Sequence, residues 1–450
     1  MTVILHVLTT LWCAMECVLA LRDPKGRIAR LVIFSGLGMI HGFVPAITPS
    51  DLMLAEFSES SRAHAAGLAF VGVVLLSCGW KLSDAFRSHL TGLSPGLETV
   101  LEAVETQKLL SRMFWICGIV GVLAWVYSVV VTGISVTEVF ETARFAERRS
   151  IPIYSAAIAQ YFLALTSVPG FVCFFLPRRY RLLGVGYAIG MAILLFLASR
   201  GSRANSIGLL GSVVMGYALR HRMVAYRVAL VGIAGVLLLV LTVALYDVRK
   251  TMMQQTASGM VESLFTMDTY RGALARDPLS YHQFLVAAVE LFPDHHPFLN
   301  GATYRRMFVF FLPRQYFWFI KPEDPNMTFA EVVNPRSSQA FTTVPPTMMG
   351  DGYINFWGWP GILIMFVNGF VLGFVERKIR TSLLWFIAVG APFFRLSLLA
   401  MRGQPYEILL VGVSGVVIIW ILGRCVGYSF RDSRLFARQV EVGGAYRLAM

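Results

Sequence analysis

The turn Ser199–Arg203 combines two arginines, two serines and a glycine between apolar runs near 182–198 and 204–219. Each run is about as long as a bilayer crossing requires, and a charge between two such runs is costly and usually functional. The glycine permits a tight turn, and the second serine can cap the helix that follows. Arg200 and Arg203 are three residues apart, so both guanidinium groups can reach one phosphate or diphosphate. The free amides at the start of the helix would bind the same anion. The alternative is that both arginines only reach lipid headgroups.

A second polar group follows a long hydrophilic segment, where a late apolar run begins near residue 352. Asp351 could act as a base or bind sugar hydroxyls, and Asn355 and Tyr353 could also bind them. The alternative is that Asp351 stabilises the start of its own helix through the helix dipole.

Further charged and titratable residues lie near the same predicted boundary. Arg395 lies inside an apolar run and Arg402 at its end, so we expect each to face a cavity, with Asp351, Glu407 or a bound phosphate as partner. A structural ion pair is the alternative. His282 is a second candidate base. The adjacent pair His295 and His296 cannot share a helix face, so no metal site is predicted.

The composition is that of a membrane protein. The chain of 450 residues is 56% apolar and only 14% charged, with a mean hydropathy of +0.64, which exceeds the usual values for soluble proteins. Eleven apolar runs of spanning length predict an all-α polytopic protein that forms one domain over 1–450, with about eleven transmembrane helices. The runs lie near 3–21, 31–47, 64–80, 113–133, 153–176, 182–198, 204–219, 225–246, 352–375, 382–401 and 405–423.

Charge in the short loops predicts the orientation. Alternate loops are rich in arginine and lysine, and this bias places the N-terminus outside and the C-terminus in the cytoplasm. The same bias explains the net charge of +13, so nucleic acid is not an expected partner. The six cysteines all lie in or at the end of apolar runs, without disulfide or metal spacing. The first apolar run contains Glu16 and lacks a basic start, so it predicts a retained span rather than a cleaved signal.

One long hydrophilic segment, 247–351, is predicted to lie outside as a single large loop. Loops of this length are rarely passive linkers. Helical patterns occur near 259–275 and 280–292, and the aromatic stretch 308–320 has the composition of a membrane interface. A further outer loop, 134–150, is predicted to be an amphipathic surface helix.

Taken together, these motifs resemble the bacterial O-antigen polymerase family, the Wzy-type oligosaccharide repeat-unit polymerases. The similar residues lie within about 196–212 and 296–375. Family members often carry a glutamate where this chain has Asp351, and they lack an insertion at Trp357. The stretches that carry the resemblance are Ser199-Arg200-Gly201, Asn300-Gly301-Ala302-Thr303-Tyr304, Phe311-Leu312-Pro313-Arg314 through Trp318 to Lys321-Pro322, and Gly350-Asp351-Gly352-Tyr353-Ile354-Asn355-Phe356-Trp357-Gly358.

The resemblance implies a GT-C-like helical bundle in the bacterial inner membrane that needs no metal or other cofactor. Such proteins move a growing glycan from undecaprenyl diphosphate to an incoming lipid-linked repeat unit at the periplasmic face, and a chain-length regulator is an expected partner. The roles expected here are diphosphate binding by Arg200 and Arg203, with Arg314, Arg395 and Arg402 as second candidates; acceptor activation by Asp351 or, less directly, His282; and sugar binding by Asn355 and Tyr353.

Two alternatives stay open at the level of sequence. An O-antigen ligase would use the same donor with a different acceptor, lipid A core. A flippase or transporter of lipid-linked sugars would favour internal repeats and charges near mid-membrane. Neither of these features is evident in the sequence, where the charges cluster at the outer boundary beside one large outer loop.

Overall fold

The structure is a computed structural model, and it describes residues 1–22, 28–47, 57–85, 95–132, 165–198, 203–221, 281–309, 320, 325–333, 346–403 and 405–430. It is 86% helical, and the described residues contain no strand. A helix satisfies every main-chain hydrogen bond within its own segment, which is what an apolar chain needs inside lipid. The predicted all-α class is therefore confirmed.

The helices are numbered in chain order. The first half contains α1 (Thr2–Arg22), α2 (Ile28–Gly38), α3 (Val44–Ile47), α4 (Glu59–Ala85), α5 (Pro95–Glu102), α6 (Val104–Thr132), α7 (Ser167–Val172), α8 (Arg178–Ala198) and α9 (Arg203–Arg220). The second half contains α10 (His282–Leu291), α11 (Ala302–Val309), α12 (Pro325–Val333), α13 (Thr347–Asn355), α14 (Ile364–Thr381), α15 (Leu383–Ala388), α16 (Phe393–Met401) and α17 (Pro405–Cys425). A π-helical turn, Met39–Phe43, joins α2 to α3, and a 3-10 turn, Trp359–Leu363, leads into α14.

Five segments of the described chain are long and apolar enough to cross a membrane. They are Thr2–Leu21, Ala29–Ile47, Glu59–Ala85, Val104–Tyr127 and Trp359–Thr381. Several apolar helices of this kind indicate a multi-pass protein that associates with a lipid bilayer. The full number of about eleven spans, the GT-C-like arrangement and the orientation of the termini stay predictions.

The closest packing in the bundle joins α4 to α14, where small residues let the two backbones touch. A methyl group added at Gly79 would lie 2.0 Å from the carbonyl oxygen of Phe366, and one added at Gly369 would lie 2.1 Å from that of Leu76. Glycines at a helix interface permit this close approach in membranes, where packing rather than hydrophobic exclusion holds helices together.

Two polar clusters mark opposite ends of the antiparallel pair α1 and α2. At one end the buried Glu16 accepts a hydrogen bond from Ser77 at 2.5 Å, and it forms ion pairs with Arg30 and, at 2.9 Å, with Lys81. At the other end the ring of His6 contacts the main chain of His41, with 2.8 Å between Nδ1 and the carbonyl oxygen. Ten positions separate His6 from Glu16, which is about 15 Å along a helix axis.

The structure tests part of the predicted outer loop. The helical pattern near 280–292 is confirmed as α10, whereas those near 259–275 and 134–150 lie outside the described residues, as does most of the aromatic stretch 308–320. The late span, predicted to begin at 352, begins at Trp359 instead. The segment 347–355 forms the separate short helix α13 because the chain turns sharply between the two.

Candidate functional site

Helix α13 places the predicted acidic motif inside the protein. Every residue from Thr347 to Asn355 is buried. At its start the Gly350 amide donates to the Thr347 hydroxyl oxygen at 3.2 Å, which satisfies one of the free amides of the first turn. After its end the chain folds back so closely that a methyl group at Gly361 would lie 2.1 Å from the Gly352 carbonyl oxygen. This turn carries α13 against the start of the α14 span.

Asp351 is held by a small hydrogen-bond network with Asn355 and Thr303. The Asn355 amide nitrogen Nδ2 lies 3.1 Å from Asp351 Oδ1, 2.8 Å from the Asp351 carbonyl oxygen and 2.9 Å from Thr303 Oγ1. The Thr303 main-chain amide donates in turn to Asn355 Oδ1 at 3.2 Å. Asn355 is 0% exposed, so its amide group is fully used in fixing α13 to the start of α11.

The second carboxylate oxygen of Asp351, Oδ2, is buried without a hydrogen-bond partner in the described chain. The residue as a whole is 2% exposed. Burial raises the pKa of the Asp351 carboxyl to about 7, although its contacts with Thr303, Tyr304 and Asn355 act in the opposite direction. A buried carboxyl with such a pKa can take up or release a proton near neutral pH, as a general base must.

Tyr304 adds a hydroxyl group to the same cluster. Burial of this hydroxyl and, after it, the charge on Asp351 raise the pKa of Tyr304 well above its usual value. Asn368 of α14 acts in the opposite direction by hydrogen bonding to the phenol. Tyr304 therefore stays a neutral phenol beside Asp351. The site combines a carboxyl group that titrates near neutrality with a phenol hydroxyl group that stays neutral.

Arg395 lies on α16 and Arg402 directly follows the last residue of that helix. The two are seven positions apart, so they lie on roughly one face. Arg395 packs against α9, where a methyl group added at Gly208 would lie 2.7 Å from Arg395 Cβ. Helix α9 begins at Arg203, and five residues further along a helix is about 7.5 Å. The structure therefore brings the helices that carry Arg203 and Arg395 into contact.

Arg402 lies where α16 approaches the starts of α10 and α13. Its guanidinium group stands 5.5 Å from the ring centre of Tyr281, and its Nε has no hydrogen-bond partner among the described residues. The next residue, Gly403, has a φ of +79° and lies against the Thr347 carbonyl oxygen, where an added methyl group would be 2.3 Å away. Thr347 precedes Asp351 by four residues, which is about 6 Å along a helix.

The predicted base His282 belongs to a different cluster. Its Nδ1 lies 3.1 Å from Nδ1 of His41, and its ring centre lies 4.7 Å from that of His6. Burial, followed by the two neighbouring histidines, lowers the pKa of His282 well below its usual value. His282 is a neutral imidazole enclosed by the first two spans, and its predicted catalytic role stays untested.

The two residues predicted to bind sugars are engaged within the protein. The Tyr353 hydroxyl donates to the Phe292 carbonyl oxygen at 3.3 Å, and its ring packs edge-on against Phe298 and His64. Asn355 is committed to Asp351 and Thr303, as described above. In this structure both residues position their neighbours, and their predicted contacts with sugar stay untested.

Several predicted residues lie beyond what the structure describes, and others were not predicted. Arg200 and Arg314 fall outside the described residues, and Arg203 is described only as the first residue of α9. The site also contains Thr303 and Tyr304, hydroxyl residues that follow the turn at Asn300-Gly301. The sequence does carry a signal for them, because a turn at Asn300-Gly301 is followed by a helix with two hydroxyl side chains in its first turn.

Neither a metal cluster nor a known relative assigns this site. Among the described residues, no group of three or more histidine, cysteine, aspartate or glutamate side chains is arranged to hold a metal ion. Comparison of the chain with family models, with curated proteins and with solved structures finds no match. What the site does must therefore be argued from its own geometry.

Proposed function

We propose that this chain is a membrane glycosyltransferase that joins undecaprenyl-diphosphate-linked oligosaccharide repeat units, in the manner of an O-antigen polymerase. The observation that carries the proposal is the buried Asp351 carboxyl with a pKa of about 7, close to where α13 meets the arginine-bearing α16. A base is most effective when its pKa is near the working pH. Guanidinium groups bind diphosphate oxygens in bidentate geometry.

The proposed step begins with a sugar hydroxyl of the acceptor unit. Its oxygen attacks the anomeric carbon of the donor glycan, and the bond between that carbon and the diphosphate oxygen breaks. The leaving diphosphate keeps the bonding electron pair, and the hydroxyl proton passes to Asp351. We assign this role to Asp351 rather than His282 because burial and the neighbouring His6 and His41 hold the pKa of His282 well below its usual value, whereas the Asp351 carboxyl has a pKa of about 7.

Negative charge builds up on the diphosphate oxygens as the bond breaks, and fixed cations stabilise it. Preorganised donors of this kind usually contribute the largest share of the rate enhancement, and removal of one costs about 10² to 10³ in rate. The donors proposed here are Arg200 and Arg203, followed by Arg314, Arg395 and Arg402. The reaction is proposed for the periplasmic face of a bacterial inner membrane, with the N-terminus periplasmic, the C-terminus cytoplasmic and a chain-length regulator as an additional partner.

The first experiment is a gel profile of surface polysaccharide and lipid-linked intermediates from cells that lack the gene, with and without the wild-type copy. A change from single capped repeat units to a ladder on complementation is the expected result. Loss of all polymer on lipid A would identify a ligase instead. Repeat units trapped on the cytoplasmic side would identify a flippase and would remove the catalytic roles assigned above.

The arginine assignment has its own test in the same cells. We expect Arg200→Ala and Arg203→Ala each to abolish long chains while the protein inserts into the membrane at the wild-type level. Arg62→Ala is the control, since Arg62 donates to the Phe57 carbonyl oxygen at 3.0 Å and has no assigned role. Full-length polymer from both of the first two variants would refute the assignment.

A further inference from the structure

A pocket of about 440 Å³ opens beside the loop that follows α13. Its lining includes Asp294, His295, His296, Phe298, Asn300 and Trp357. Its volume falls within the range of small-molecule sites, roughly 300–1,000 Å³. The pocket is separate from the Asp351 network, but main-chain hydrogen bonds connect the two. Leu299 and Gly301, on either side of Asn300, donate to the carbonyl oxygens of Ile354 and Asn355 at 2.8 and 2.9 Å.

The indole of Trp357 is fixed in an exposed position. It is 63% exposed, yet its Nε1 donates to Asn300 Oδ1 at 2.9 Å. Both residues have left-handed backbones, with φ of +59° for Trp357 and +48° for Asn300. Such a conformation is costly for a residue other than glycine, and it persists only where the surrounding structure enforces it. The ring is therefore presented to solvent before any ligand arrives.

Polar groups surround this ring in a pattern that suits hydroxyl groups. The ring atom His296 Nδ1 lies 2.7 Å from the Pro297 carbonyl oxygen, so Nδ1 carries a proton and donates this bond, and Nε2 is the second polar atom of the ring. The Asp294 carboxylate supplies acceptors. Asn300 uses its oxygen for Trp357 and keeps its NH₂ group as a donor. A sugar hydroxyl is both donor and acceptor and can bond to either kind of group.

The charge of the pocket distinguishes it from the proposed diphosphate site. Its lining, within the described chain, contains an aspartate and two histidines and neither lysine nor arginine. A diphosphate would be repelled by Asp294 and would lack a cation. An uncharged glycan would instead place the apolar C–H face of a sugar ring on the indole and its hydroxyl groups on the polar rim.

We propose that this pocket, which we call the Trp357 subsite, binds an uncharged sugar ring of the acceptor glycan. This inference rests on the proposed function, because it places the acceptor glycan of that reaction beside the proposed base, Asp351. The peptide that carries Trp357 follows Asn355 by two residues, so a sugar held there lies near the start of the Asp351 network. The subsite would orient the acceptor and hold successive units of a growing chain in register.

An exposed tryptophan at a bundle end can also be an interfacial membrane anchor. Two observations favour a sugar. The Trp357 N–H is used within the protein instead of pointing toward headgroups, and its neighbours Asp294 and His295 are both exposed and polar. Trp115 is 51% exposed on α6, a helix long and apolar enough to cross a membrane, and it lies outside the lining of this pocket.

The experiment measures glycan binding by the purified full-length protein in detergent, using isothermal titration calorimetry. The probe is the uncharged oligosaccharide that mild acid releases from the lipid-linked glycans of the cells that carry this gene. We expect Trp357→Ala to weaken binding about tenfold or more, and Trp357→Phe to retain most of the affinity because a ring remains. Trp115→Ala, the matched control, should bind as the wild type does.

The outcomes separate this inference from the proposed function. Asp351→Asn reports on the proposed function alone, because it should stop polymerisation whether or not the Trp357 subsite binds glycan. Unchanged binding in Trp357→Ala, or no binding by the wild type, would overturn the subsite even if Asp351→Asn stops polymerisation. Weaker association of Trp357→Ala with liposomes, at unchanged glycan affinity, would assign Trp357 to the membrane interface. Glycan binding that depends on Trp357 in a protein without polymerase activity would support the subsite and refute the proposed function.

Discussion

Substitution of Asp351 by asparagine should make the protein more stable at alkaline pH while it removes activity. The pKa of the Asp351 carboxyl rises from 3.8 to about 7 on folding. Between these values the folded state keeps a proton that the unfolded state has released. Stability therefore falls as pH rises through this window and levels off above the folded pKa. Three pKa units correspond to about 4 kcal/mol of unfolding free energy.

Asparagine has nearly the same shape and keeps an oxygen that can accept the hydrogen bond from Asn355. It carries no charge, so the Asp351→Asn variant loses this pH dependence. Below about pH 4, where the folded and unfolded wild type both carry the proton, the two proteins should be similar in stability, and near pH 8 the variant should be the more stable one. Glycan transfer should fall by about 10² to 10⁴, the usual contribution of a general base.

Thermal unfolding can be followed with a thiol-reactive fluorescent dye, because Cys13, Cys117 and Cys173 are buried and become reactive on unfolding. Asp294→Asn is the matched control for stability, since that aspartate is exposed and its substitution should leave the pH profile of unfolding unchanged. Parallel pH profiles for the wild type and Asp351→Asn would refute the reasoning about burial. Wild-type polymer from Asp351→Asn would refute its role as the base.

Two further predictions concern packing and the hydrogen-bond network. Gly79→Ala places a methyl group 2.0 Å from a carbonyl oxygen and should cost about 2 kcal/mol of stability. The control is Gly186→Ala, which has no atom within 4 Å and should leave the unfolding temperature unchanged or raise it. Equal effects of the two substitutions would contradict the close contact of α4 and α14. Asn355→Ala removes a hydrogen-bond partner from the Thr303 amide and from Asp351, so it should lower stability by about 2 kcal/mol. The pH optimum of polymer formation should shift upward, because Asn355 favours the ionised form of Asp351. An unchanged pH optimum would show that Asn355 does not affect the carboxyl.

The helical class and five membrane-spanning segments follow from local patterns in the sequence. An apolar run long enough to cross a bilayer identifies a helix almost regardless of its neighbours, which is why the helical class was predictable. The Gly369-x-x-x-Gly373 spacing in α14 also marks a helix interface. Nothing local to Gly79 identifies its partner, because that contact depends on how two helices separated by some 280 positions are arranged.

The composition of the site was less predictable, for the same reason. Asn355 lies four residues after Asp351, and that spacing on one helix face indicates a contact. Thr303 and Tyr304 reach Asp351 from a helix about fifty positions earlier, which no periodicity reveals. The exposure of Trp357 depends on the left-handed backbone of Trp357 itself and of Asn300. Residues other than glycine seldom adopt this conformation, so it is hard to predict from sequence.

The buried charge of Glu16 has a consequence for how the protein is made. A carboxylate in the first helix is costly in lipid until it is paired, and its partners, Arg30 of α2 and Ser77 and Lys81 of α4, are synthesised later. We therefore expect the first helix to reach its full stability in the bilayer only after α2 and α4 have joined it. On this expectation, assembly of the bundle starts from three helices rather than from single ones.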